Sequence, residues 1–359
     1  MFPSLRIVLY CFIILLCGAI HKKSIHSIQY FKEKMVNILM MKKSTCPLLL
    51  IFIFILMLLC PGPVFSGASK GLLLWFNTVL PTLFPFILIC NLLIQTGTVY
   101  YILSFTRPLF CRLFGVSAFG SFAVLSGFLC GYPMGAKVTA DLYSKDFISR
   151  QEASYLLSFC NNTSPMFILS FLVMQSLNDN SLKLPTLAIL WLSPILCSFL
   201  FRREHGSHSH FKSTGCDHSK DFFSPNSSAS CTSRNSDALE DSISDALESI
   251  TKIGAYIMIF SIFTELLCLL PLPETPLSLA VLSSFEITNG IALLCRSSLP
   301  RNILYILCLS QTSFGGLCAV AQTNSMIKDT GLSILPYIQK KLITALVTSL
   351  LAFAYLHLF

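Results

Sequence analysis

Long apolar runs recur along this chain and limit its fold more than any other feature of the sequence. The segments 46–65, 71–97, 184–201 and 335–359 each come close to the roughly 20 residues that a helix needs to cross the hydrocarbon core of a bilayer. Hydrophobic residues make up 54% of the 359 positions and charged residues only 12%, about half of the roughly 25% that is usual in soluble domains. So few charges cannot solvate a globule of this size. We therefore predict an all-α, polytopic integral membrane protein, and the composition excludes a soluble enzyme.

The net charge of +8 is interpreted as basic cytoplasmic loops of such a protein. No basic patch with interleaved aromatic residues is present in the sequence, so nucleic-acid binding is not expected. The 15 cysteines lie mostly within apolar runs and form no CxxC pair, which gives no sign of a disulfide framework or a zinc site. The sequence also has no nucleotide-binding GxxxxGKS/T loop and no HExxH motif. We predict no enzymatic activity, no cofactor and no metal site.

Abrupt changes of composition divide the chain into four segments. Residues 1–40 join an apolar stretch to a basic one and are assigned to an N-terminal extension. The segments 41–201 and 246–359 are rich in apolar runs, whereas 202–245 is rich in Ser, His and Asp and is predicted to be a disordered cytoplasmic linker. Residues of metal-ligand type in this linker are His205, His208, His210, Cys216 and His218. In a flexible Ser-rich segment they are expected to be solvated rather than to bind a metal.

Each half of the chain contains an apolar segment that is interrupted before it could span the membrane. In the first half, residues 117–143 are broken at 131–135, and in the second half, residues 277–298 are broken at 286–290. Each arm is too short to cross, and lipid cannot satisfy the backbone groups that a break leaves unpaired. We therefore predict a re-entrant helical hairpin at each position, with its turn facing protein or water.

A helix with a polar centre follows each hairpin. Ser149 and Glu152 fit a capping box that starts a helix running to about residue 177, with the polar stretch 161–165 at its middle. The second half repeats this pattern in a helix over 302–327 with the polar stretch 311–316. We interpret both as broken transmembrane helices. Each half then has the same order of elements: kinked span, hairpin, broken helix and final span.

The distribution of basic residues predicts that the two repeats are inverted. With Lys42 and Lys43 in the cytoplasm and the spans threaded alternately, most Lys and Arg residues fall at the inner interface, as the positive-inside rule requires. Lys340 and Lys341 are among them, and the amphipathic segment 99–115 is predicted to lie along the interface. The first hairpin then enters from the cytoplasm and the second from the opposite side. Inverted repeats whose broken helices meet near the midplane are the architecture of secondary transporters.

The polar residues at the breaks are the candidates for binding a solute. Half-helix N-termini carry a partial positive charge that suits a carboxylate, and Lys137 could attract an anion. Glu286, an acid at membrane depth, is a functional candidate by default. The alternative is that these residues only join helices, with Glu286 paired to Lys137 or Arg296, and with Lys137 reaching the interface. The candidate substrate-binding residues are Gly131, Tyr132, Pro133, Gly135, Lys137, Asn161, Asn162, Thr163, Ser164, Glu286, Thr288, Asn289, Gln311, Thr312 and Ser313.

Three stretches resemble the YlbJ family of sporulation integral membrane proteins, also called stage V sporulation protein V. They are GLLLWFNTVLPTLFPFILICNLL (71–93), GFLCGYPMGAK (127–137) and SFCNNTSPMFIL (158–169). The resemblance covers about 41–359, and the N-terminal extension and the linker have no match in it. This family belongs to the wider nucleoside-recognition or Gate domain group, which is similar to the core of concentrative nucleoside transporters. The resemblance independently implies two inverted repeats, each with a re-entrant hairpin and a helix.

The resemblance implies a transporter in the outer forespore membrane of an endospore-forming bacterium, or in its cell membrane. The implied solute is dipicolinic acid (pyridine-2,6-dicarboxylate), a planar dianion that would suit Lys137, Asn161, Asn162 and the backbone N–H groups around 131–135. Two alternatives stay open, namely transport of a nucleoside or another small metabolite, and a structural role in spore assembly without transport. The expected partners are the lipid bilayer, a small anionic solute and a coupling ion, either a proton or sodium. A homo-oligomer is also compatible with the sequence.

Overall fold

The computed structural model describes residues 45–96, 98–204, 234–269 and 275–358. The predicted N-terminal extension and linker residues 205–233, with the histidine cluster, lie outside the described residues. Within the described ranges the regular structure is helical and no strand occurs, which agrees with the predicted all-α class.

The helices of the first half are α1 (Thr45–Leu59), α2 (Pro61–Leu74), α3 (Leu80–Gln95), α4 (Val99–Phe114), α5 (Ala118–Leu129), α6 (Met134–Ser144), α7 (Arg150–Phe159), the π-helical α8 (Phe167–Leu177) and α9 (Lys183–Glu204). Those of the second half are α10 (Arg234–Leu267), α11 (Pro276–Ser283), α12 (Ile287–Arg296), α13 (Arg301–Phe314), α14 (Gly316–Ile327) and α15 (Ile334–Leu358).

The described helices have the length and the surface of a membrane protein. Five helical stretches are long and apolar enough to cross a bilayer, or six if the end of α4 and the whole of α5, which meet at 89°, form one bent span. Large apolar side chains are exposed on the outer faces of these stretches: Phe65, Leu73, Leu184, Leu200, Leu346 and Leu350. Apolar surface on this scale fits lipid rather than water. The chain is therefore an integral membrane protein.

One predicted boundary is wrong. We expected a span over 46–65 that closes at the Pro61-Gly62-Pro63 turn, and a second span from residue 71. Helix α1 instead ends at Leu59, and a helical stretch starts at Pro61 and continues to Gln95 through a π-helical turn at Trp75–Val79. A backbone N–H in the first turn of a helix has no acceptor within the helix, so proline loses no hydrogen bond there, and its fixed φ already suits the helix. Pro61 therefore begins a helix here instead of ending one.

The predicted linker is also shorter at both ends, because α9 continues to Glu204 and α10 begins at Arg234. Helix α10 packs against α3 in this region, where the Asn91 side-chain amide donates to the carbonyl of Ser242 over 3.4 Å. Ser242 and Ala246 are fully buried at this contact. Packing of small residues against α3 thus extends the helix into a stretch whose composition is polar.

The long helical stretch from α2 to α3 in the first half packs antiparallel against α10, its counterpart in the second half. Near the start of α2, Gly67 lies so close to α10 that a Cβ there would be 2.7 Å from the Cα of Ile262. At the other end of the pair, Asn91 in α3 contacts Ser242 early in α10. Small residues at the crossing allow this close backbone approach. The stretch from α2 to α3 and helix α10 therefore run in opposite directions.

The broken helices of the two halves are antiparallel as well. The Arg150 guanidinium at the start of α7 donates to the carbonyl of Gly331, just after α14, over 3.1 Å. At the opposite end, Asp179 after α8 forms an ion pair with Arg301 at the start of α13. Hydrogen bonds from Ser181, together with the Arg301 charge, hold the pKa of the Asp179 carboxyl below its ordinary value. Each end of one broken helix thus meets the opposite end of the other.

The final spans α9 and α15 are also antiparallel to each other. The Lys340 ammonium near the start of α15 lies 4.7 Å from the ring centroid of Phe201 near the end of α9.

In both halves the hairpin comes directly before the broken helix, α5–α6 before α7 and α11–α12 before α13. The turns of both hairpins and the breaks of both long helices meet in the interior of the protein.

Candidate functional site

The turn of the first hairpin packs against the break between α7 and α8. Gly131 adopts a left-handed conformation with φ +91°, and a Cβ on it would lie 2.9 Å from the backbone nitrogen of Ser164. A Cβ on Gly135, early in α6, would lie 2.6 Å from the carbonyl oxygen of Cys160. The Gly-Tyr-Pro-Met-Gly stretch therefore allows backbone-to-backbone packing that larger residues would prevent.

The second hairpin caps the break in the other long helix. Helix α13 ends at Phe314, and both Gly315 and Gly316 have positive φ, 82° and 79°, which glycine adopts at little cost. The backbone nitrogen of Leu317 donates to the Ser284 carbonyl over 2.7 Å, and that of Cys318 donates to the Phe285 carbonyl over 2.9 Å. The hairpin turn thus satisfies backbone donors of α14 that a helix start leaves without intrahelical partners.

The break in the second hairpin is earlier than predicted. We expected it at 286–290, but Ser284–Glu286 is the non-helical part, and α12 begins at Ile287. The Glu286 carboxylate accepts the backbone N–H of Thr288 over 3.0 Å and that of Asn289 over 2.8 Å. Because this side chain caps the helix, the residues after it can be helical. Glu286 is only 2% exposed, and no ion pair with Lys137 or Arg296 occurs within the described ranges.

Hydrogen bonds join the two breaks across the halves. The Tyr132 hydroxyl donates to the Ser313 carbonyl over 2.8 Å, and the Thr163 hydroxyl donates to the Thr312 carbonyl over 2.8 Å. The acceptors are backbone carbonyls in the last turn of α13, which have no partner within the helix. The first hairpin and the first break therefore complete the hydrogen bonding of the second break.

Asn161 forms a second connection between the halves. Its side-chain amide donates to Thr323 Oγ1 over 2.9 Å and to the Tyr337 hydroxyl over 3.1 Å. The residue is fully buried, and its Oδ1 has no hydrogen-bond partner among the residues that the structure covers. One amide of the predicted NNTSP stretch is thus used mainly to hold α14 and α15 against the first break.

Lys341 is the functional candidate that sequence reasoning missed, since we placed it at the inner membrane interface. It is 1% exposed, and its ammonium donates to Asn162 Oδ1 over 3.1 Å and contacts the Ser313 carbonyl at 3.5 Å. The same ammonium lies 4.9 Å from the ring centroid of Tyr132. A lysine buried between three breaks in the helices is a stronger candidate for a functional residue than a lysine at the membrane interface.

Lys137 occupies a different environment from the one predicted. Its ammonium forms an ion pair with Asp141 one helical turn later, over 2.9 Å. It is 9% exposed and does not line the cavity described next. The partner of this lysine is therefore a neighbour on its own helix rather than Glu286, and Asp141 was not considered in the prediction.

The breaks surround a cavity of about 150 Å³. The π-helical turn between α2 and α3 contributes Thr78 and Val79 to its wall, and α10 contributes Ile253 and Ile257. Such π-helical insertions are frequent at functional sites. The polar side chains on the wall are Thr78, Thr82, Tyr132, Thr163, Ser164, Ser170, Glu286, Thr288 and Gln322. The cavity is thus a mainly apolar recess with hydroxyls, one amide and one carboxylate, placed where both hairpins and both broken helices meet and open to the outside past the exposed Met166.

The structure divides the predicted site residues into two groups. Those that line the cavity are Gly131, Tyr132, Thr163, Ser164, Glu286 and Thr288. Those that lie outside its wall are Pro133, Gly135, Lys137, Asn161, Asn162, Asn289, Gln311, Thr312 and Ser313. In the second group, the Asn289 amide donates to Ser261 Oγ over 2.8 Å, and that of Gln311 donates to the Ala280 carbonyl over 2.7 Å. These two residues join helices of the second half around the cavity.

The bond between Tyr132 and Ser313 gives a first testable expectation. Tyr132→Phe keeps the ring but removes the hydroxyl that satisfies a buried carbonyl, so we expect the free energy of unfolding to fall by about 1 kcal/mol. Thermal unfolding in detergent measures this change. Tyr143→Phe in the same hairpin is the control, because the Tyr143 hydroxyl has no partner within the described chain. Equal unfolding temperatures for the two variants would contradict the bond.

Comparison with known proteins gives one curated relative. The chain is 26% identical over 306 residues to a protein of Bacillus subtilis (strain 168) named sporulation integral membrane protein YlbJ, and the match covers 79% of this chain and 75% of the relative. No family model matches the chain, and no solved structure matches it significantly. The similarity confirms the resemblance that the motifs indicate and supports assignment to the YlbJ family.

Proposed function

On the premise that the chain is a sporulation membrane protein of the YlbJ type, we propose that it transports a small anionic solute, dipicolinic acid, across the outer forespore membrane. The observation that carries this proposal is the cavity at the junction of four helix breaks. Irregular backbone at membrane depth is tolerated where it lines a cavity or is buried in protein. Substrate sites of secondary transporters lie between such broken helices.

The antiparallel contacts support the inverted repeat that such a transporter uses. Arg150 with Gly331 and Asp179 with Arg301 align the two broken helices in opposite directions. Lys340 over Phe201 aligns the final spans in the same way. Each hairpin precedes its broken helix, so the hairpins enter from opposite sides. Alternating access follows from movement of one repeat against the other around a fixed site.

The cavity suits a single heteroaromatic ring that carries polar groups. An apolar cavity of about this volume can hold one six-membered aromatic ring, and Ile253, Ile257 and Phe171 provide an apolar wall. Hydroxyls of Thr163 and Ser164 on the wall can donate to carboxylate oxygens. Two backbone N–H groups at the start of α12 donate to the Glu286 carboxylate, and the partial positive charge of this helix N-terminus offsets part of the carboxylate's repulsion of an anion.

One observation favours a second candidate, a neutral nucleoside or a related metabolite. Glu286 and Gln322 both face the cavity, and together they can accept and donate hydrogen bonds to an uncharged heterocycle. The buried ammonium of Lys341 lies behind the ring of Tyr132 rather than in the cavity wall. A dianion would need Tyr132 to move before it could approach that charge.

Uptake into proteoliposomes that contain only this chain tests both candidates. We expect labelled dipicolinate to accumulate with time and to be displaced by unlabelled dipicolinate, with little displacement by uridine. Ala319 lines the cavity, so Ala319→Phe should fill it and reduce uptake by about tenfold or more. The matched control is Ala354→Phe, which places the same ring on an exposed position of α15 and should leave uptake unchanged.

The outcomes separate the hypotheses. Uptake of uridine but not of dipicolinate would support the nucleoside candidate. A folded, correctly inserted protein that takes up neither solute would favour a structural role in spore assembly. If Ala319→Phe transports as well as the wild type while its unfolding temperature is unchanged, the cavity is not the route of the solute.

A further inference from the structure

Lys341 occupies a site made of uncharged acceptors that belong to three different breaks. Asn162 lies in the first broken helix, Ser313 at the end of α13, and Tyr132 in the turn of the first hairpin. The ammonium contacts the Asn162 side-chain oxygen at 3.1 Å and the Ser313 carbonyl at 3.5 Å, and it lies 4.9 Å from the Tyr132 ring centroid. No carboxylate forms an ion pair with it among the residues described here.

The charge is instead stabilised by the ends of two half-helices. Helix α7 ends at Phe159 and α13 ends at Phe314, and the C-terminal end of a helix carries a partial negative charge. The Asn162 amide nitrogen donates to the carbonyl of Phe159 over 2.7 Å, while its oxygen accepts from Lys341. Exposed helix ends and unwound carbonyls of this kind are where secondary transporters bind a coupling cation.

We propose that the ammonium of Lys341 fills the place of a coupling metal cation between the two broken helices, so that this chain works without sodium. The inference rests on the proposed transport function and adds to it the nature of the central cation. A tethered ammonium supplies the same charge to the same oxygens, and the side chain that carries it cannot diffuse away. The thiols of Cys160 and Cys197 interact with it electrostatically and the Tyr132 ring lies beside it, whereas no carboxylate in the described ranges forms an ion pair with it.

The test compares sodium with choline, a cation too large for the site, on the purified full-length protein. The wild type is expected to show the same unfolding temperature in both salts, and in proteoliposomes the same dipicolinate uptake with and without a sodium gradient. Lys341→Ala is expected to be less stable in choline, because its acceptors have lost their cation. Sodium or ethylammonium should restore its stability, since either can enter the space that the side chain leaves.

Two further variants control for structural effects. Lys341→Met fills the space without a charge, so it should lose uptake by about tenfold or more and should not respond to sodium. Lys340→Ala, at the adjacent position over Phe201, should show no response to either cation. If Lys341→Ala is not recovered in folded form, three measurements still test the proposal. They are the wild-type unfolding temperature in sodium and in choline, the wild-type uptake with and without a sodium gradient, and the uptake of Lys341→Met, which is expected to be lost.

Three results would overturn the proposal. They are a wild type whose stability or uptake depends on sodium, a Lys341→Ala variant as stable in choline as the wild type, and a Lys341→Ala variant that sodium and ethylammonium do not restore. The unfolding measurements need no transport. A protein that fails to transport dipicolinate but shows the expected cation response would contradict the proposed function and leave the central ammonium supported.

Discussion

Gly127→Ala is expected to cause the largest loss of stability and to lower the yield of folded protein. The added Cβ would overlap the carbonyl oxygen of Cys160, which is backbone and cannot rotate away. Gly135 from the other arm of the hairpin approaches the same carbonyl, so α5 and α6 close on it from two sides. Overpacking of a core usually costs roughly 1–3 kcal/mol, and a fixed backbone contact places this variant at the upper end or beyond. Gel filtration and thermal unfolding of the purified protein measure the loss.

Gly62→Ala is the matched control for this experiment. A Cβ on Gly62 meets nothing within 4 Å, and alanine favours a helix over glycine by about 1 kcal/mol. We therefore expect equal or higher stability for this variant. If Gly127→Ala and Gly62→Ala unfold at the same temperature, the first hairpin does not pack on the break between α7 and α8 as described. The hairpin turn would then not form part of the cavity wall.

Glu286→Ala is expected to have the second largest effect on stability. Both carboxylate oxygens accept backbone N–H groups at the start of α12, and the residue is buried away from water. Each buried donor left without a partner costs about 1–3 kcal/mol, so the loss of two partners should lower the free energy of unfolding by roughly 2–6 kcal/mol. Glu286→Gln retains one acceptor oxygen and should fall between the wild type and Glu286→Ala.

Thr275→Ala provides the comparison, since Thr275 caps α11 at an exposed position through a reciprocal bond with Ser278. Water can replace that cap, so we expect a loss of about 1 kcal/mol or less. Thermal unfolding of the set in one detergent gives the ranking. Equal losses for Glu286→Ala and Thr275→Ala would mean that water reaches the turn of the second hairpin and that Glu286 is not a buried cap.

The positions of the breaks could be predicted where Gly and Pro combine with polar residues inside an apolar run. Gly131 and Pro133 mark the first turn, and Asn161–Pro165 marks the first broken helix, because these residue types disrupt a helix locally. Glu286 was placed inside the second break although it ends that break. A capping side chain and an unwound residue have the same composition, and only the hydrogen bonds to Thr288 and Asn289 distinguish them.

The contacts across the halves could not be predicted, because they depend on which faces meet. Lys341 follows Lys340, and a pair of lysines near the start of a span normally indicates the interface. The available signal was the polar stripe at helical spacing on the buried face of α15, formed by Tyr337, Lys341, Thr344 and Thr348. Such a stripe indicates that a charged residue within it faces protein rather than lipid or water. Gln322 was missed for a related reason, since α14 was treated as the plain end of a continuous helix.

The length of the first long helix gives the protein a part outside the bilayer. From α2 to α3 it has 35 residues, about 52 Å at ~1.5 Å per residue, whereas the hydrocarbon core is about 30 Å thick. A tilt of about 20° still leaves roughly 49 Å along the membrane normal. Exposed charges flank both ends of the pair that this helix forms with α10, with the Lys70–Glu265 ion pair near one end and Asp241 and Asp245 near the other, so the excess length lies outside the hydrocarbon core at both ends. The π-helical turn Trp75–Val79, which contributes to the cavity wall, lies about midway between these two charged ends.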